Sequence, residues 1–183
     1  MRIISGTLKK HKLISPKMKV SPTIRPTSDR IKETLFNLLG DITGVYFLDL
    51  FAGTGNIGIE ALSRGARYVY FVEKSGYFCN IIKKNLSATN LTEQAKVINK
   101  KVSNGLFNRF KEENITFDII FADPPYGKGI LNELNNILDY DILKEKGIFV
   151  YQHSVREKIE GSANRSVKIG DSLLSLFYRK KGK

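Results

Sequence analysis

The chain is poor in the residues that staple or anchor a protein: its 183 residues include one cysteine, two histidines, five prolines and no tryptophan. A single cysteine, Cys79, excludes an internal disulfide and a Cys-based zinc site, and points to a reducing compartment. It falls in an amphipathic stretch and reads as a small packed residue. His11 and His153 fit no metal-ligand spacing and are expected to be surface or hydrogen-bonded histidines. No apolar run approaches the ~20 residues of a membrane span. The opening Met1-Arg2-Ile3-Ile4-Ser5-Gly6-Thr7 lacks the apolar stretch of a signal peptide. Repeats, low-complexity tracts and a dimerisation signal are also missing. The expectation is a cytoplasmic monomer with no membrane partner.

Acid is scarce too, with 18 Asp and Glu against 30 Lys and Arg, a net charge of +12. The excess is uneven. Residues 1–40 hold nine basic and two acidic residues and residues 161–183 hold six and one, while residues 41–160 hold fifteen of each. A neutral middle between basic ends suggests a catalytic or ligand-binding core flanked by surfaces for a polyanion, with nucleic acid foremost. A merely solvated Lys-rich surface is the plainer alternative. Length and an ordinary 42% hydrophobic content fit one domain with a small appendage.

Periodicity gives the layout. Residues 2–4 and 11–14 are β-prone runs around Gly6 and Lys9-Lys10-His11-Lys12, consistent with a small basic hairpin. Pro22 and Pro26 bound a loop. Thr27 or Ser28 can then cap a helix with Ile31, Leu35, Leu38 and Leu39 on its apolar face and Gly40 as its stop. From Tyr46 onward, apolar runs at 46–51, 68–72, 95–98, 117–122 and 147–151 alternate with amphipathic stretches at 57–64, 76–87, 103–112 and 128–138. That alternation predicts an α/β fold, an open and mostly parallel sheet with helices on both faces. After a short segment at 154–159, Arg165–Ile169 and Ser172–Tyr178 around Gly170-Asp171 predict an antiparallel hairpin at the sheet edge. Residues 1–40 thus read as an N-terminal basic extension and residues 41–183 as the main domain.

Asp49-Leu50-Phe51-Ala52-Gly53-Thr54-Gly55-Asn56-Ile57-Gly58 closes the first strand and opens the first helix. Gly53, Gly55 and Gly58 satisfy G-x-G-x-x-G, which allows a sharp turn, close ligand approach and helix-on-strand packing. Glu73 ends the second strand, twenty residues after Gly53, where it can accept from two ribose hydroxyls. A dinucleotide and S-adenosylmethionine both fit this pattern, and so does a structural turn with a surface acid. Asp49 favours S-adenosylmethionine: a carboxylate beside the loop opposes a pyrophosphate but attracts the ammonium and sulfonium.

Asp123-Pro124-Pro125-Tyr126 follows the fourth parallel strand at its carboxyl end, where open α/β sheets bind ligands. Two prolines remove two N–H donors, so the turn offers a carboxylate and carbonyls only. An acceptor-only turn suits a donor target, the exocyclic amine of a nucleobase. If Asp123 and the Pro124 carbonyl accept its two hydrogens, the nitrogen can pyramidalise and aim its lone pair at a methyl carbon. Tyr126 supplies a stacking surface worth about 1–3 kcal/mol. The base must be flipped out or unpaired to reach it.

With these residues in view the sequence resembles the RsmD-like bacterial 16S rRNA guanine-N2 methyltransferases, within the S-adenosylmethionine-dependent, Rossmann-like methyltransferase fold. The resemblance runs through Arg2-Ile3-Ile4-Ser5-Gly6, Arg25-Pro26-Thr27-Ser28-Asp29-Arg30-Ile31-Lys32-Glu33-Thr34-Leu35-Phe36-Asn37 and Leu48–Gly55. It continues through Gly58-Ile59-Glu60-Ala61-Leu62-Ser63-Arg64-Gly65-Ala66, Val72-Glu73 and Asp123–Tyr126. It implies S-adenosylmethionine as cofactor and, as partner, 16S rRNA or a small ribosomal subunit particle. In site terms it implies Asp49, Phe51, Gly53, Thr54 and Gly55 around the methionine moiety and Glu73 on the ribose. Asp123, Pro124 and Tyr126 would hold the amine and base, and Lys9, Lys10, Lys12, Arg25 and Arg30 the RNA; the two arginines could instead pair with Asp29 or Glu33. One departure stands out. The position expected to offer an acceptor to the adenine amine aligns with Lys101, followed by Val102, and lysine cannot accept; Asn99 or backbone groups would then serve. An N6-adenine methyltransferase acting on DNA and a non-catalytic rRNA-binding assembly factor are the alternative readings.

Overall fold

The structure, a computed structural model, describes residues 1–16, 28–125, 137, 141–157 and 163–179. The helix expected near 128–138, the loop of Pro22 and Pro26, Arg25 and Tyr126 lie outside the described residues. Helix α1 (Asp29–Leu39) starts where Ser28 Oγ accepts the Ile31 N–H at 3.3 Å, and Gly40 ends it at φ 72°. Strands β1 (Tyr46–Leu50), β2 (Tyr68–Val72), β3 (Ala95–Ile98) and β4 (Phe117–Ala122) follow. Between them run helices α2 (Asn56–Ser63), α3 (Gly76–Ala88) and α4 (Asn104–Glu112). Strands β5 (Leu143–Ser154), β6 (Arg165–Ile169) and β7 (Ser172–Tyr178) complete one seven-stranded sheet, ordered β3-β2-β1-β4-β5-β7-β6.

Strands β1 to β5 pair in parallel, and β7 runs antiparallel between β5 and β6. The chain winds outward from β1 to β3, then crosses back to β4 on the other side of β1. Ligands bind in the crevice that such a switch leaves at the carboxyl ends of the strands. Phe47, Phe71, Phe121 and Val150 point to one side of the sheet, where Ile57, Ile59 and Leu62 of α2 and Ile82 and Leu86 of α3 cover them. Leu48, Leu50, Val72 and Ile120 point to the other, under Leu106, Phe107 and Phe110 of α4. Among the described residues no helix is long and apolar enough to cross a membrane.

Two expectations change. Strand β5 begins at Leu143 and runs to Ser154, past both ends of the apolar run at 147–151, with a shift of register between Phe117 and Ile119 opposite its start. The basic hairpin is a loop closed by one antiparallel bridge, Arg2 with Lys12, rather than by two strands. The Ile3 and Leu13 N–H groups donate across the loop to His11 O and Met1 O, but others are diverted: those of Ile4 and Ser5 donate to Glu60 Oε2 and Oε1 at 2.9 and 3.0 Å, and those of Thr7 and Leu8 to Ser63 O and Oγ. A side chain at Gly6, φ 81°, would put its Cβ 1.8 Å from Ser63 O, so only glycine lets the loop sit on α2.

The N-terminal segment and α1 share the core of the sheet, with Ile3, Leu13, Leu35 and Phe36 buried in the same cluster as α2. Lys32, on the inner face of α1, is fully buried. Its Nζ donates to Arg2 O and Asn56 Oδ1 and lies 3.5 Å from Asp29 and 3.6 Å from Glu60. Glu60, also fully buried, accepts from Arg64 Nε at 2.9 Å as well as from Ile4 and Ser5.

Candidate active site at the carboxyl ends of the central strands

Parallel pairing sets β1 between β2 and β4, with Leu50 opposite both Val72 and Ala122. Asp49, the penultimate residue of β1, therefore lies between the strand ends that carry Glu73 and Asp123. Three acids from distant parts of the chain meet at one edge. Asp49 is 2% exposed, and its Oδ2 accepts the Gly58 N–H of α2 at 3.0 Å. Glu73 is buried, accepting from Gly53 N at 2.9 Å through Oε2 and from Ser75 N at 2.8 Å through Oε1. It thus ties the glycine loop to the turn that opens α3. Carboxylate oxygens have further lone pairs, so these bonds leave acceptor capacity for a ribose.

The loop turns through left-handed backbone at Phe51, φ 60°, Gly53, φ 54°, and Gly55, φ 77°, the last being the N-cap of α2. The glycines do different work. A Cβ on Gly53 would meet only Phe51 O, at 3.9 Å, so its outer side faces open space where a ligand can approach. A Cβ on Gly55 would press within 3.4 Å of Ile82 and Ile59, and one on Gly58 would lie 2.2 Å from the Phe71 ring. Those two serve packing of the helices on the sheet. Phe51 is half-buried against the α4 side of the core.

Electrostatics mark the two strand-end aspartates. Burial pushes the Asp49 carboxyl up to about 8; the Gly58 N–H pulls it down, and the neighbouring Asp123 and Glu73 charges push it further up. Burial pushes Asp123 up to about 7. Among the described residues no lysine or arginine forms an ion pair with Asp49, Glu73 or Asp123. A cleft with two buried acids and a third beside them, no ion-paired cation among the described residues and open space over Gly53 fits a ligand that carries positive charge and a hydroxylated sugar. Pro124, beside Asp123, is buried and Pro125 exposed.

The other expected site residues differ in exposure and partners. Thr54 is buried, and its hydroxyl donates to Met1 Sδ at 3.2 Å, so its side chain faces the N-terminal segment. Lys101 is exposed, and Val102 is buried in the core with Leu50, Val72 and Leu106. Asn99 Nδ2 donates to Glu73 O and Lys74 O at 3.0 and 2.9 Å, bracing the loop after β2. Lys9, Lys10 and Lys12 are exposed on the N-terminal loop, and Arg30 is exposed on α1. Asp29 pairs with Arg2 and Lys32. Cys79 is buried, its Sγ 3.3 Å from Glu73 O, and the His153 ring is bonded to Ser175 Oγ and Ser154 O.

One residue escaped sequence reasoning. Asn85 of α3 is buried; its Oδ1 accepts the Ile14 N–H at 2.7 Å, while its Nδ2 donates to Ile14 O and Thr54 O. It clamps the basic segment and the glycine loop to one helix. An asparagine in an amphipathic helix carries no local sign of that role.

Residues 1–173 match the model of a family described as "Conserved hypothetical protein 95". A relative named "Ribosomal RNA small subunit methyltransferase D", from Escherichia coli K12, is 39% identical over 140 residues, covering 76% of this chain and 67% of the relative. The solved structure of the Thermus thermophilus hypothetical protein TTHA0928 is similar with a TM-score of 0.84 at 26% identity, covering 97% of this chain and 98% of that one. The T. thermophilus 16S rRNA N2 G1207 methyltransferase RsmC, solved with AdoMet and guanosine, shares the fold: TM-score 0.70, 23% identity, 88% of this chain and 45% of that one.

Proposed function

Because the chain belongs to the Conserved hypothetical protein 95 family of RsmD-like methyltransferases, we propose that it methylates the exocyclic N2 amine of a guanine in small-subunit rRNA. S-adenosylmethionine is the methyl donor. The observation that carries the reading is the junction of the Asp123-Pro124 acceptor turn with Asp49 and the glycine loop at adjacent strand ends. Bound there, the cofactor would supply an electrophilic methyl group on a cationic sulfur.

The chain's own residues supply the rest. Asp49 would hold the positive charge at the loop, Gly53 would allow close approach, and Glu73 would accept from the ribose hydroxyls. The Asp123 carboxylate and the Pro124 carbonyl accept the two amine hydrogens, which fixes the nitrogen and directs its lone pair away from the ring. As the N–C bond forms and the C–S bond breaks, positive charge grows on nitrogen beside Asp123. That stabilisation is worth about 10²–10³ in rate, by analogy with a single oxyanion-hole donor. The amine then sheds one proton, which an acid raised to about 7 can hold before passing it to water. Residues 1–40 form the basic extension that grips RNA, with Lys9, Lys10, Lys12 and Arg30 on phosphates and Arg25 as a further contact, and residues 41–183 form the catalytic core.

Incubation with methyl-labelled S-adenosylmethionine and either small-subunit particles, naked rRNA or DNA tests this, once the modified nucleoside is identified. Label as N2-methylguanosine in rRNA is expected. N6-methyladenosine would refute the guanine assignment, its deoxy form would support the DNA reading, and no label in any substrate would support the RNA-binding factor.

A further inference from the structure

One buried polar atom at this end of the sheet has no hydrogen-bond partner among the described residues. Gln152 is 5% exposed, and its Oε1 is the one buried side-chain nitrogen or oxygen without a hydrogen-bond partner among the described residues. Buried acceptors are almost always satisfied, so an unpartnered one calls for a specific cause. Its position supplies one. The β4–β5 ladder pairs Phe121 with Val150 and Ala122 with Tyr151, so Gln152 stands one residue past the last rung, level with Asp123.

Strand alternation puts Gln152 on the side of the sheet shared by Ile148 and Val150, the side to which Phe47 and Phe121 also point. Asp49 follows Phe47 by two residues and lies opposite Phe121, so it shares that side. The ends of β1, β4 and β5 thus carry Asp49, the Asp123 turn and Gln152 in a row. Tyr151 and His153 face the other way, stacked on each other at 4.9 Å, with the His153 ring already bonded to Ser175 and Ser154. Gln152 is the group on the β5 side left with an open valence.

The chemistry of the bases gives that valence a meaning. In guanine the N2 amine is flanked by the ring N1–H, a donor, on one side and by N3, an acceptor, on the other. In adenine and cytosine the ring nitrogen beside the amine is unprotonated and is an acceptor. A fixed acceptor next to a turn that grips the amine therefore matches guanine alone among the amine-bearing bases. We infer that Gln152 is the specificity-determining residue, its Oε1 accepting the N1–H of the guanine whose amine Asp123 and Pro124 hold. Adenine or cytosine in that place would aim a lone pair at Oε1 and leave two acceptors unpaired, which is the kind of mismatch that discriminates most strongly. The inference rests on the methyl-transfer reading above.

Its test uses an RNA containing the guanine that the wild-type protein labels, and the same RNA with 2-aminopurine there, which keeps the amine and has an unprotonated N1. Wild type should favour guanine by about tenfold or more in kcat/KM. Gln152→Leu should bring the two substrates within about twofold of each other, while Gln152→Glu, which offers acceptors only, should keep the preference. Cofactor affinity should be unchanged in both, which a general loss of structure would not allow. Wild-type discrimination surviving in Gln152→Leu overturns the assignment and leaves the methyl-transfer reading intact. If Gln152→Leu does not fold, loss of the preference in folded Gln152→Glu overturns it instead. A wild-type protein that labels no RNA guanine overturns the functional reading itself, before Gln152 is reached.

Discussion

Glu60 and Asp49 are both buried acids on elements that flank the glycine loop, and the molecule treats them in opposite ways. Glu60 is surrounded by its own partners, Lys32, Arg64 and the N–H groups of Ile4 and Ser5. Asp49 has one N–H, from Gly58, and two neighbouring acids. The first arrangement binds the N-terminal segment and α1 to α2. The second has no ion pair among the described residues and holds its proton up to about 8, and on the proposed reading a cationic ligand would supply the missing partner. Buried acids are costly in either case, so what distinguishes a structural acid from a ligand site is who supplies the counter-charge.

The sharpest way to break this contrast is at Glu60. Glu60→Ala removes the buried counter-charge of Lys32 and Arg64, leaving Lys32 only the half-exposed Asp29, and should cost about 3–5 kcal/mol, seen as a large fall in the thermal midpoint. A midpoint near that of wild type would mean the network holds nothing together. At the site the loss should be of rate instead. Asp123→Ala should lower kcat by about 10²–10³ and leave S-adenosylmethionine affinity within several-fold, and an active variant would remove the amine-acceptor role.

Titration sharpens the contrast further. A cation binds the ionised form of Asp49, so cofactor affinity should rise with pH from 6 towards 8, by at most about tenfold per unit, and Asp49→Asn should flatten that rise. Turnover at saturating cofactor should climb through about 7 as Asp123 ionises. Stability of the ligand-free protein runs the other way. The folded Asp49 carboxyl holds its proton up to about 8 while the unfolded one releases it near 4, so its contribution to stability is full below pH 4 and declines as pH rises to 8. Asp49→Asn should therefore stabilise the ligand-free protein at pH 8 by about 1 kcal/mol or more, about 2–4 °C for each kcal/mol. An unchanged or lower midpoint would show Asp49 to be paired after all.

The smallest effect is expected at the surface. Replacing Lys9, Lys10 and Lys12 with alanine should weaken RNA binding and reduce its salt slope by about 2–3, with cofactor affinity unaffected. An unmoved slope would take the N-terminal loop off the RNA.

Much of this fold was legible because its signals are local. The apolar runs of β1 to β4, the α1 cap at Ser28 and its stop at Gly40 depend on neighbours within a few residues, as does the turn of the glycine loop. The N-terminal loop misled for the same reason. Its β-prone residues pair only around Arg2 and Lys12, where Ile3 and Leu13 donate to His11 O and Met1 O; beyond that point Glu60, more than fifty residues away, takes the Ile4 N–H and Asn85 takes that of Ile14. Lys32, which no local pattern singles out, is fully buried. The Thr54 hydroxyl, in the glycine loop, donates to Met1, a partner that only the tertiary fold brings to it.

The sequence by itself determined the chemistry on offer: the glycine spacing, an acid at the end of each of three strands, an acceptor-only turn and the placement of surplus positive charge. Those follow from residue type and short-range geometry, which the chain carries wherever it goes. Tertiary structure decided which of the acids pair with a cation among the described residues, that Gly53 alone of the loop glycines borders open space, and that Gln152 ends level with Asp123. Burial and pairing depend on what packs across from a side chain, and the crossover from β3 to β4 sets that, joining segments the linear order holds far apart.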